Sequence, residues 1–156
     1  MIEMTTNDVV IRHNFISKIL FKDNDFSLSK DLKIKIMSMR IEYGKVHKVF
    51  DEDIKEFTTA IISDRFNELA NNPNRTEEEN DEYNSLVDQY NQETNEYVSH
   101  RMMDPVNVNE YYFTTDEYSE ILEANASNDV VINDRKIPAP DFLEAIYDLF
   151  VDDKTK

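Results

Sequence analysis

The stretch from Ser29 to Asn71, SKDLKIKIMSMRIEYGKVHKVFDEDIKEFTTAIISDRFNELAN, dominates the chain. Within it Leu32, Ile36, Met39, Tyr43, Val46, Phe50, Ile54, Phe57 and Ile61 follow one another at spacings of four or three, with no proline among them. That is the period of an α-helix with one apolar face. Ser29 is placed to cap its start, and Pro73 disfavours helical backbone at the residue before it, so the helix is expected to run to about Asn71. At 1.5 Å per residue, even the thirty-odd residues of the stripe make a rod roughly 45 Å long.

On a helical wheel the rod has a second apolar side. Ile34, Met37, Ile41 and Gly44 fall opposite Leu32, Met39, Tyr43 and Phe50, again at four-and-three spacing, and Ile62, Phe66 and Leu69 rejoin that line later. A helix that is apolar on two sides has to be sandwiched. Either the first helix and the tail cover the second side, or a neighbouring copy does, with Gly44 permitting close backbone approach there.

Charge is distributed unevenly. The net charge is −16; residues 1–70 hold 11 Lys and Arg against 12 Asp and Glu, and residues 71–156 hold 6 against 21. The acidic second half disfavours direct nucleic-acid binding, which depends on basic contacts to phosphate. Basic side chains concentrate on the rod, at Lys30, Lys33, Lys35, Arg40, Lys45 and Lys48, while Glu77 to Glu96 holds eight acids and no base. In an antiparallel hairpin those acids lie beside residues 50 to 70, so the two patches are expected to meet between molecules, head to tail. A basic protein surface is the other partner the charge favours.

The remaining elements follow from local signals. Val9-Val10-Ile11 is a β-branched triplet and predicts a strand, with a short helix from Asn14 through Leu20. Thr76 and Glu79 have capping-box spacing and open a helix to about Val98, so that a short link joins two long antiparallel helices. Tyr83, Tyr90 and Tyr97 recur every seven residues on it, as the edge of a core or as a partner-binding strip. Val106 to Phe113 alternates like a strand. Thr114 and Glu117 form a second capping box, Val130 to Ile137 reads as a strand with a turn at Asn133-Asp134, and Pro140 opens a last helix. The expected fold is mainly α. Residues 1–28 form a strand and short helix, 29–99 a long antiparallel helical hairpin and 100–156 a small α+β tail, in a single domain whose end strands pair into one sheet.

The chain offers little to catalysis. With Gly44 its sole glycine and no cysteine, it has neither a phosphate-cradling loop nor a thiolate metal site. Asp23, Asp25, Ser27 and Asp31 alternate like calcium ligands, but Leu28 stands where the loop needs glycine and Ile34 where it needs glutamate. His47 and Asp51 are spaced i, i+4, and without a second such pair they read as a surface contact. No Glu-x-x-His pair supports a di-metal helical site. No apolar run is long enough to span a membrane, and no export-signal pattern opens the sequence, so an intracellular protein is expected.

The order of these elements resembles small virion or assembly proteins of tailed bacteriophages. The resemblance lies in Val9-Val10-Ile11-Arg12-His13-Asn14-Phe15, in Ile16 to Leu20, in Leu28 to Ile36 leading into the long charged helix, and in Ile137-Pro138-Ala139-Pro140-Asp141-Phe142-Leu143. The glycine-poor, Asn-, Asp- and Lys-rich usage is similar to that of low-GC phages, including the crAss-like group. It implies a non-enzymatic subunit packed in copies, as at the head–tail connector, located in the virion and in the host cytoplasm during assembly. Its partners are other virion proteins and copies of itself, without cofactor or membrane. The expected contact residues are Lys30, Lys33, Ile34, Met37, Arg40, Ile41, Gly44, Lys45 and Lys48 on the rod, with Tyr83, Tyr90 and Tyr97. The alternative reading is an acidic nucleic-acid mimic that inhibits a basic host protein.

Overall fold

Thr5 caps the first helix: its hydroxyl accepts a hydrogen bond from the Asp8 N–H at 3.1 Å. In the computed structural model, which describes residues 1–21 and 28–151, that cap sets α1 over Thr6–Ile16. Val9-Val10-Ile11 is therefore helical. The strand expected there lies earlier, as β1 over Ile2–Thr5. Burial explains the difference, because Val9 is fully buried and Val10 nearly so. Tertiary packing of those two side chains outweighs their modest helix penalty.

The protein is mainly α, with a helical hairpin and a small α+β portion built from the chain ends. The long helix α2 spans Lys30–Ala60. It does not continue to Asn71. Ser63 adopts extended backbone and its hydroxyl accepts from the Phe66 N–H at 3.0 Å, which starts a separate helix, α3, over Asp64–Ala70. Both expected capping boxes form: Thr76 with Glu79 opens α4 (Glu77–Met102), and Thr114 with Glu117 opens α5 (Thr115–Asn125). The last helix, α6, covers Ala139–Phe150.

Among the described residues two separate two-stranded sheets replace the single expected one. β1 pairs antiparallel with β2 (Pro105–Val108), Ile2 opposite Val108. β3 (Val130–Ile132) and β4 (Arg135–Ile137) form a hairpin. Its turn residues Asn133 and Asp134 have φ of 52° and 61°, the left-handed pair that a tight hairpin turn requires.

The chain divides into two compact units, residues 1–47 with 105–156, and residues 48–104. In the first, Leu32, Ile36, Met39 and Tyr43 of α2 join Val9 and Ile16 of α1, Ile121 of α5 and Phe142, Ile146 and Phe150 of α6 in one core. Asn125 is buried in that unit with both ends of its amide bonded. Its Oδ1 accepts from the Leu20 N–H at 2.6 Å and its Nδ2 donates to the Ile121 carbonyl at 2.8 Å.

In the second unit, Phe57 of α2 stacks on Tyr97 of α4 at 4.0 Å between ring centroids, and Asp53 accepts from Arg101 at 2.7 Å. Residues rising along α2 meet residues falling along α4, which makes the hairpin antiparallel. Phe66 of α3 sits between Tyr83 and Tyr90, and Arg65 grips both carboxylate oxygens of Glu82 at 2.8 Å.

Tyr43 is the one buried core side chain whose hydroxyl finds no partner among the described residues of the first unit. Burial pushes its phenol up to about 12, with Arg12 opposing and Glu42 adding to the rise. The unfolded phenol ionises near pH 10. The stability this group contributes is therefore whole below pH 10 and is lost as pH rises through about 12. Tyr43→Phe removes an unsatisfied hydroxyl and is expected to raise the unfolding free energy by about 1 kcal/mol. It should also flatten the alkaline decline, both effects read from urea titrations at neutral and alkaline pH.

Candidate functional site: an uncovered face of the long helix

The two-faced character of α2 has a definite outcome in the first unit. Leu32, Ile36, Met39 and Tyr43 are wholly buried, whereas Ile34, Met37 and Ile41 on the opposite side keep 55%, 43% and 53% of their surface exposed. Among the described residues nothing covers that second side. Lys30 and Lys45 lie on the same face, one turn beyond Ile34 and one turn beyond Ile41, and both are exposed. On a wheel all five fall within an arc of about 80°. The result is a short apolar strip, two turns long, with a lysine at each end. Lys33 flanks it, half-buried; Lys48 belongs to the second unit, exposed and loosely paired with Glu52 at 3.9 Å.

The other two bases of this stretch are engaged inside the unit. The Lys35 ammonium donates to Glu117 at 2.8 Å and to the Tyr112 carbonyl at 2.9 Å. Burial works against the Glu117 charge. The bonds from Lys35 and from the Thr114 N–H outweigh it and hold the carboxyl below its usual range. Arg40 donates to the carbonyls of Ile16, Ser17 and Ile19 at 3.2, 3.2 and 2.7 Å. It closes the end of α1 and lies over the Phe21 ring at 4.9 Å. Desolvation lowers its pKa without removing its charge. Arg40 is thus a structural clamp of the first unit.

Gly44, expected to face a neighbour, faces α1. A Cβ there would come within 3.2 Å of His13 Nε2. The glycine makes room for the His13 ring, which meets His47 edge-on with Nδ1 to Nδ1 at 2.7 Å. One ring donates a proton to the other's lone pair. Sequence spacing could not reveal this pair, since the two histidines stand 34 residues apart. Among the described residues no group of three His, Asp or Glu side chains converges as metal ligands. Asp23, Asp25 and Ser27 of the calcium-like pattern lie outside the described residues.

No known protein family, curated protein or solved structure matches this chain. What the uncovered face can do is read from its own side chains.

Tyr83, Tyr90 and Tyr97 are half-buried. Their rings are used within the second unit against Phe66 and Phe57, and the Arg75 guanidinium lies 4.2 Å from the Tyr83 ring centroid. They form the seam of the hairpin. No described helix is long and apolar enough to cross a membrane.

Proposed function

We propose that this chain is a non-catalytic building block that works in copies, docking through the outward face of α2, as a subunit of a tailed-phage particle. The observation that carries the reading is the strip Ile34, Met37 and Ile41, exposed on a helix whose other side is the core of its unit. Three large apolar side chains in an i, i+3, i+7 row are the anchors by which a helix seats against a partner. A lysine at each end orients such a contact toward acidic surface. The chain carries that surface itself, with an acid excess of 15 in residues 71–156. The setting in a virion, around the head–tail junction, is supported by the resemblance in element order and composition.

The test is the mass in solution of the wild type and of the Ile34→Glu/Ile41→Glu variant. Both side chains already face water, so the variant keeps the helical circular dichroism of the parent. The wild type is expected to be a multimer and the variant a single chain of 18.4 kDa. A wild type that is itself a single chain at high concentration contradicts the proposal.

A further inference from the structure

A second surface of the first unit is apolar with an acidic rim, opposite in charge to the lysines of the strip. Between α5 and α6 lies an open apolar groove of about 410 Å³, lined by Tyr118, Leu122 and Ala126 on one side and Pro140, Leu143 and Tyr147 on the other. Its floor is fixed: the Tyr118 hydroxyl donates to the Leu143 carbonyl at 2.8 Å, and the rings of Tyr118 and Tyr147 meet edge-on at 5.2 Å. Leu122 keeps 44% of its surface exposed there. Glu144 lines the groove, and Asp141 and Asp148, spaced three and four residues from it on α6, extend an exposed acidic rim.

We infer that this groove receives the Ile34–Met37–Ile41 strip of the next copy, an inference that rests on the self-assembly reading above. Lengths agree. Ile34 to Ile41 and Pro140 to Tyr147 are each eight residues of helix, about 10.5 Å from first to last. Charges agree, since the lysines at the ends of the strip meet the acids along the rim. The acidic helix α4 is the weaker receptor. It offers charge, but its tyrosines are turned to Phe57 and Phe66 of its own unit.

Strip and groove are different surfaces. The side of α5 that meets α2 carries Glu117 and Glu120, bonded to Lys35 and the Ser29 N–H, whereas Tyr118, Leu122 and Ala126 line the groove. Joining strip to groove is a head-to-tail contact. Repeated, it closes a ring or grows a filament.

The absence of native cysteine makes the contact directly testable. Met37→Cys, Leu122→Cys and Ser85→Cys are made singly, the last on the exposed side of α4. Pairs of variants carrying different mass tags are mixed and oxidised with diamide. The mixed link between Met37→Cys and Leu122→Cys is expected to dominate. Glu144→Lys should weaken association about tenfold.

Dominant Met37→Cys links to themselves, or to Ser85→Cys, overturn the groove assignment and leave self-assembly standing. A wild type of single-chain mass, together with no link between any pair of the cysteine variants, overturns both.

Discussion

Met39→Pro destabilises the protein by about 3 kcal/mol or more and abolishes association. The new ring removes the residue 39 N–H from the ladder of α2 and clashes with the carbonyl of residue 35. The substitution also deletes a side chain that is wholly buried between Ile36 and Tyr43. Urea unfolding followed by circular dichroism measures the loss. The contrast with Ile34→Glu/Ile41→Glu is informative. That pair is expected to end association while leaving the unfolding midpoint nearly unchanged, because it acts on the outward side of the same helix. A proline variant that folds and assembles like the parent would contradict a continuous α2.

Phe113→Ala carries the second large effect, about 3–5 kcal/mol of lost stability. Phe113 is wholly buried, its ring lies 5.7 Å from that of Phe150, and its N–H donates to the Phe150 carbonyl at 2.7 Å. It also pairs with Val151 in a parallel bridge. These contacts pin the segment before α5 to the end of α6, the two helices that flank the groove. Truncation empties the centre of that joint while keeping its backbone bond. The urea midpoint is expected to fall steeply, and an unchanged midpoint would show that the site collapses around the smaller side chain.

What could be read from the residues alone was whatever depends on neighbours a few positions apart. Thr76 with Glu79 and Thr114 with Glu117 declare their helix starts because both partners of each capping box lie within one turn. Asn133-Asp134 declares its turn for the same reason. The apolar period of α2 marks the helix and its buried face, but Pro73 does not mark its end, which lies at Ala60. Ser63 was the competing signal, a capping residue followed by an acid in the first turn of α3. Thr5 ahead of Asp8 was a similar signal, masked by the β-branched triplet that follows.

The site was legible in part. Ile34, Met37 and Ile41 are recognisable from the wheel, because a second apolar row needs a cover whatever the fold, whereas Lys30 and Lys45 stand out only as part of a basic stretch. The roles of Arg40 and Gly44 were hidden. Each depends on α1 lying against α2, which brings the Ile16, Ser17 and Ile19 carbonyls to the guanidinium and the His13 ring to the glycine. The groove was hidden too. Tyr118, Leu122, Leu143 and Tyr147 come together only when α5 and α6 are placed side by side.

The most direct test is the sedimentation mass of the wild-type protein at low and at high ionic strength. A multiple of 18.4 kDa at low salt, shifting toward a single chain as salt screens the lysine-to-acid contacts, is the predicted result. A single chain at both ionic strengths and at every concentration would contradict it.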